Sequence, residues 1–143
     1  MRRLYPGKNV SCVSTFDKSR LEQMIANRFC DRPLSPPANR VLQRLRAADF
    51  VVVLDDVPRD LITMNCTIRL IDPILCEEWE VALVYPEDHD PERNSWSILS
   101  PVGCELFGLR RYDAVAIKRE DLPCAGWVVA DIPFQPEASG MPL

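Results

Sequence analysis

Near Phe50 the spacing of the apolar residues changes, and this change constrains the fold more than any other feature of the chain. Before it they recur at helical spacing; after it they alternate with a period of two. The 3.6-residue period buries one face of a helix, and strict alternation buries one face of a strand. A chain carrying the first pattern and then the second is expected to be an α+β protein, with a helical front followed by a sheet. The division falls at residues 1–52 and 53–143.

The front reads as two helices. Ser14 or Thr15 is suited to cap the first, which starts near Phe16 and carries Asp17 in its favourable first turn. Leu21, Met24, Ile25 and Phe29 then lie on one face. "CDRPLSPP", Cys30 to Pro37, breaks the pattern. Pro33 cannot continue a helix, while Ser35 before Pro36 is a cap and first-turn pair for a second one. That second helix places Ala38, Val41, Leu42, Leu45 and Ala48 on one face. Two short amphipathic helices around a tight turn predict an antiparallel hairpin. Arg40 and Arg44, four residues apart, are expected to share its outer face.

Behind the hairpin, "ITMNCTIRLI" alternates, with Ile62, Met64, Cys66, Ile68 and Leu70 on one side. "EWEVALVY" repeats the pattern with Trp79, Val81, Leu83 and Tyr85. Trp96–Leu99, Ala114–Lys118 and Trp127–Phe134 are further strand candidates, and "PEDHDPERN" is an acidic loop between two of them. This predicts a mostly antiparallel sheet with one face buried. The one helix signal inside it runs from Val102 to Phe107, with Gly108 placed to end it in the left-handed conformation. "VVADIPF" puts Pro133 where a strand is expected, which demands an edge or a bulge. The final "QPEASGMPL" reads as an irregular tail.

Composition sets the class. The 143 residues suit one domain, or a small one with an appendage, and 47% apolar with 27% charged content is ordinary for a globular chain. No apolar run approaches the roughly 20 residues that cross a bilayer, and no apolar stretch follows the basic start. The expectation is a cytoplasmic protein with no membrane contact. Residues 1–49 hold ten Lys/Arg against four Asp/Glu, whereas the remainder holds seven against seventeen. A basic front and an acidic back fit two units with different electrostatic surfaces.

Catalytic chemistry is hard to place. The six cysteines include no Cys-x-x-Cys pair and His89 is the single histidine, so a zinc site is not expected. Their spacing leaves disulfides open, with buried free thiols the expectation. His89 reads as a solvated loop residue. Asp55-Asp56 and Glu77-Glu78 are adjacent, so on extended chain their carboxylates point to opposite faces. With five glycines there is no Gly-rich phosphate loop. Trp79, Trp96 and Trp127 fall on strand candidates and read as core. The residues themselves call for no cofactor and no metal. The basic hairpin is a weak signal for non-specific nucleic-acid contact, against the alternatives of a solvated face or an acidic protein partner.

The segments "LITMNCTIRL" (61–70), "ALVYP" (82–86), "SILSPVGCELFGLRRYDAV" (97–115) and "FQPEASG" (134–140) together say more. In this order and spacing they resemble the C-terminal domain of bacterial Gre-type transcription elongation factors. Within that family they are similar to the regulators of nucleoside diphosphate kinase, which have a shortened N-terminal hairpin. The resemblance implies a helical hairpin followed by an FKBP-like domain, a curved antiparallel sheet around one short helix. It implies a protein that is not an enzyme and that docks on the rim of the RNA polymerase secondary channel. Docking would fall at Ser100 and Pro101, with Gly103 allowing close approach, and the hairpin would point into the channel. Ser100 and Pro101 also suit a purely architectural helix start.

The implied hairpin tip, with Asp31 and Arg32, carries one carboxylate, and helices of about 14 residues reach roughly 21 Å. Stimulation of transcript cleavage is therefore not expected, since magnesium prefers carboxylate oxygens and water and a cleavage tip needs appropriately placed Asp or Glu. Many family members carry Gly at the position of Tyr112, so the turn there must be built differently or covered by the Tyr112 ring. Two alternatives accompany this reading: an FKBP-like peptidyl-prolyl isomerase, which would need a pocket lined by residues such as Trp79, Trp96 and Phe107, and a direct regulator of nucleotide metabolism.

Overall fold

The computed structural model describes residues 11–119 and 122–140, with side chains throughout except at 118, 119 and 122–125. The chain start read for a leader, the last three residues of the tail and the Cys124 thiol lie outside this description.

Two helices form the front, α1 (Thr15–Arg28) and α2 (Pro36–Ala47), as the apolar stripes require. Their starts are set by local hydrogen bonds. Ser14 Oγ accepts from the Asp17 N–H at 3.0 Å, and Ser35 Oγ accepts from the Ala38 N–H at 3.3 Å. Such caps satisfy donors that have no partner within the helix. Two short strands flank the helices, β1 (Cys12–Ser14) and β2 (Phe50–Val52), and pair in parallel.

The main sheet contains β3 (Thr67–Asp72), β4 (Glu77–Val84), β5 (Ser95–Ser97), β6 (Ala114–Arg119) and β7 (Leu122–Phe134), in the order β5-β4-β3-β7-β6. All neighbours are antiparallel except β4 and β5, which run parallel. A single helix, α3 (Pro101–Leu106), lies between β5 and β6 in the chain. Leu21, Ile25, Val41 and Leu45 of the two helices share one core with Ile68, Leu83, Leu106 and Trp127 of the sheet unit, so burial is continuous across residues 52–53.

Several expectations need correction. The alternation from Ile62 to Leu70 is not one strand: β3 begins only at Thr67. Residues 61–66 turn through Asn65, at φ 65°, and Thr63 is buried beside Ile62 and Met64. The tail is not wholly irregular, because Pro136–Ser139 forms a short helix, α4, stopped by Gly140 at φ 75°. Trp96–Leu99 supplies a strand only as far as Ser97. Pro133, by contrast, is placed as expected: it lies in β7 beyond the residues 122–128 that pair with β6, where the register against β3 shifts twice between Thr67 and Leu70. Such irregularity accommodates a residue that cannot donate to the ladder.

Tyr112 stands in the turn before β6 at φ 76°, in left-handed conformation, and is 67% exposed. The turn thus has the backbone that glycine favours, with a tyrosine in it; its N–H donates to the Val129 carbonyl at 2.7 Å. L-residues pay about 1–2 kcal/mol for this conformation, part of which a glycine gives back as unfolded-chain entropy. Tyr112→Gly is therefore expected to stabilise the protein by about 0.5–1 kcal/mol in urea denaturation. Tyr112→Ala, which keeps the Cβ, should bring no gain; equal effects from both variants would contradict strain at this position.

Candidate functional site

The connection from β5 to α3 is held almost entirely by Ser97 and Ser100. The Ser97 carbonyl accepts from the Ser100 N–H at 2.9 Å and from the Ser100 hydroxyl at 2.6 Å. Ser97 Oγ accepts from the Leu99 N–H at 2.9 Å. Ser100 Oγ also caps α3, accepting from the Gly103 N–H at 3.0 Å. The hydroxyl expected to meet a partner is therefore committed to the loop itself. Gly103 is buried, and a methyl on it would be driven into the Ser97 carbonyl. The close approach it permits is thus within its own chain. Pro101, by contrast, is exposed at the first turn of α3. The result is a rigid loop presenting a proline ring, with Ser100 and Gly103 as its frame.

Arg40 and Arg44 share a face of α2, with Arg40 exposed and Arg44 partly covered. That face packs against α3. Arg44 Nη1 donates to the Phe107 carbonyl at 2.7 Å and Nη2 to Glu105 Oε1 at 3.4 Å, while Arg40 Nε lies 3.5 Å from Glu105 Oε2. Burial, with the Arg40 charge beside it, lowers the Arg44 guanidinium from its ordinary value, and Glu105 acts in the opposite direction. These arginines fasten α2 to α3. Beside them an open groove of about 690 Å³ runs between α2, α3 and the edge strand β6, lined by residues including Pro36, Arg40, Gln43, Pro101, Glu105 and Ile117.

At the hairpin tip, Asp31 is exposed. Arg32 turns back: its Nε donates to the Arg28 carbonyl at 3.0 Å and its guanidinium lies 5.0 Å from the Phe29 ring centroid. That arrangement closes the last turn of α1, where unsatisfied carbonyls favour a cation. The tip therefore presents one carboxylate with no second one beside it in the turn.

Asp17 was missed as a buried anchor. It lies on the line of Leu21 and Ile25, at i, i+4 and i+8, which was the available signal. It is 1% exposed, and its Oδ2 accepts from the Met64 N–H at 3.2 Å, tying α1 to the sheet unit. Burial pushes its carboxyl up to about 7, the Met64 N–H opposes that, and Glu137 adds to it. Nearby, the Thr63 hydroxyl donates to Glu137 Oε1 at 2.8 Å. Asp17 Oδ1, Glu137 Oε2 and the Tyr85 hydroxyl are buried without a hydrogen-bond partner. Cys66 lies in the same cluster, its thiol pushed up to about 12 by burial.

Among the described residues no group of three or more His, Cys, Asp or Glu is placed to hold a metal ion. No described helix is long and apolar enough to cross a membrane. Trp79 lies edge-on to Trp96 with centroids 5.9 Å apart and tilted against Trp127 at 5.7 Å, and Phe107 is buried, so these rings pack on each other and the core. Cys12, Cys66 and Cys104 are buried free thiols as expected, whereas Cys30 and Cys76 are free but exposed. His89 is exposed but engaged: its Nδ1 accepts from the Ser97 N–H at 2.9 Å, and its ring stands edge-on to Trp96 at 5.7 Å.

The family description "Transcription elongation factor, GreA/GreB, C-term" matches residues 57–130, a little over half of the chain. The chain belongs to the GreA/GreB transcription elongation factor family. The matched residues include β3, β4, the Ser97–Pro101 loop and α3. A GreA/GreB elongation factor of Nitrosomonas europaea superposes with a TM-score of 0.74 at 28% identity, over 87% of this chain and 98% of that one. The regulator of nucleoside diphosphate kinase of Escherichia coli K12 is 24% identical over 90% of this chain and 92% of its own length. The GreA of Thermoanaerobacter pseudethanolicus is 31% identical over 68 residues, 48% of this chain and 43% of its own. This Gre-family chain thus aligns with the regulator over nearly its whole length and with GreA over about half.

The Asp17 carboxyl of this family member gives a pH signature. Its value in the folded state is raised above that of the unfolded chain, so its contribution favours folding most below about pH 4 and is lost as pH rises through about 7. Asp17→Asn keeps an acceptor for Met64 and cannot ionise. Relative to wild type it should gain stability as pH rises from 4 to 8, by on the order of a few kcal/mol, in urea titrations at each pH. A difference between the two proteins that does not change with pH would contradict the assignment.

Proposed function

We propose that this chain is a transcription regulator that docks on the rim of the RNA polymerase secondary channel through the loop at Ser100 and Pro101, and occupies the channel without stimulating transcript cleavage. The observation that carries the reading is the Gre-family match over the unit that contains this loop, together with a loop rigid enough to present Pro101 in one geometry. A preorganised surface loses little entropy when it binds. Ser100 and Gly103 act through the frame and Pro101 through contact. The adjoining groove extends the surface available to a partner.

The hairpin supports the second half of the proposal. α1 has 14 residues, about 21 Å of helix, and its tip offers Asp31 with Arg32 folded back beside it. Magnesium takes carboxylate oxygens and water, and the one carboxylate of this turn has the Arg32 charge next to it in sequence. Arg40 and Arg44 are occupied with Glu105, so non-specific contact with nucleic acid falls to the exposed Arg28, Arg32 and Arg46. The isomerase alternative is not favoured. Trp79 and Trp96 pack edge-on against each other and Phe107 is buried, and the groove beside Pro101 is flanked by charged Arg40 and Glu105.

Two outcomes test the proposal. Pro101→Ala keeps a residue suited to a first helical turn, so the melting curve should stay close to wild type while affinity for core RNA polymerase falls about fivefold or more. Unchanged binding by a folded variant would show that the loop is architecture alone. In backtracked elongation complexes with labelled RNA, the protein should release no short 3′ fragments above the polymerase's intrinsic rate. Added cleavage that disappears with Asp31→Ala would overturn the second half.

A further inference from the structure

The β4–β5 connection contains the single histidine of the chain, aimed at the loop from behind. Asp90 and Ser95 exchange backbone hydrogen bonds, at 2.8 Å from the Asp90 N–H and 3.0 Å from the Ser95 N–H. This closes residues 90–95 into a tight loop and brings the flanking His89 and Ser97 together. The His89 ring rests edge-on against Trp96, and its Nδ1 accepts from the Ser97 N–H at 2.9 Å. A backbone N–H can only donate, so Nδ1 must be the unprotonated ring nitrogen. Ser97 is in turn the residue whose carbonyl and hydroxyl hold Ser100 and Leu99. An exposed imidazole therefore supports the N–H of the residue on which the whole loop depends.

We propose that His89 is a positioning residue for the docking loop: the neutral ring holds Ser97 in place, and protonation of the ring releases it and weakens partner binding. This rests on the reading of the loop as a polymerase-docking surface. The reason is donor and acceptor matching. A protonated imidazole carries N–H on both nitrogens, which sets a donor against the Ser97 donor. Histidine is the side chain that ordinarily changes charge between about pH 5 and 8. The charges around it are mixed. Arg28 of α1 lines the same cleft as the ring, together with Pro86, Leu99 and Ser100. Glu87, Asp88 and Asp90 flank it in sequence, and Asp90 Oδ2 lies 3.7 Å from Arg93 Nε. From β5, the Trp96 ring and the Ser97 N–H meet it, and neither carries a charge.

His89→Asn separates positioning from simple packing, because an Asn oxygen can stand where Nδ1 does and cannot titrate; His89→Ala removes the acceptor. The first readout is the Ser97 amide resonance of the full chain, labelled with ¹⁵N, between pH 8 and 5. It should move with protonation of the ring in wild type, stay constant in His89→Asn and be displaced at every pH in His89→Ala. A Ser97 amide that ignores ring protonation, or is the same in His89→Ala as in wild type, overturns the inference.

The second readout is affinity for core RNA polymerase. At pH 8, His89→Ala should bind about fivefold more weakly than wild type, the scale of one net hydrogen bond, with His89→Asn near wild type. As pH is lowered from 8, wild type should lose affinity relative to His89→Asn. Equal binding by all three proteins at every pH overturns the coupling and leaves the docking surface standing. Failure of wild type itself to bind polymerase removes the docking surface and the coupling with it, and is recognisable because no substitution is involved.

Discussion

The Arg44 guanidinium is the interaction on which the arrangement of this chain depends. It reaches from α2 to the Phe107 carbonyl and to Glu105, across 63 and 61 residues of sequence. In doing so it closes the C-terminal end of α3, whose N-terminal end carries the candidate loop. A half-buried cation loses part of its hydration, and the Phe107 carbonyl and Glu105 replace it, so these contacts favour the observed placement of α2 against α3. The hairpin and the loop are therefore parts of one framework: α3 is fixed at one end by Ser100 and at the other by Arg44. Asp17 provides the second tie, from α1 to the Met64 N–H. Together the two clamps set where the hairpin points relative to the surface that carries Pro101.

Much of this was legible where the controlling interactions are local. Ser14, Ser35 and Ser100 cap their helices because a hydroxyl three residues before a free N–H is well placed to accept from it, and such pairs are written side by side in the sequence. Gly108, at φ 84°, follows α3 as its position suggested. Trp79, Val81 and Leu83 are buried as alternation along β4 implies, and Tyr85, just past its end, is buried with them.

What stayed hidden depends on distant partners. Arg40 and Arg44 look like a solvent face to any reading that does not know Glu105 is opposite them. The same holds for His89, whose partner is a backbone N–H that every residue but proline possesses. Ile62 to Leu70 shows the limit of periodicity: Ile62, Met64 and Cys66 are buried, but in a turn and not in a strand. Tyr112 kept the glycine-like backbone because the register of β6 and β7 and the Val129 carbonyl hold the turn more strongly than the side chain resists it.

The described residues bring together no nucleophile, base and orienting group, and they do bring together a frame for one exposed proline. The account therefore stands or falls on what Pro101 meets. A photoreactive amino acid at position 101, irradiated with core RNA polymerase, tests this most directly when compared with the same group at Ile74. Ile74 is 85% exposed in the β3–β4 turn, at the far end of β4 from the loop. The account predicts cross-links from position 101 to the rim of the secondary channel, abolished by excess Gre factor, and few from position 74. Cross-links that are equally strong from both positions, or that persist under excess Gre factor, would contradict it.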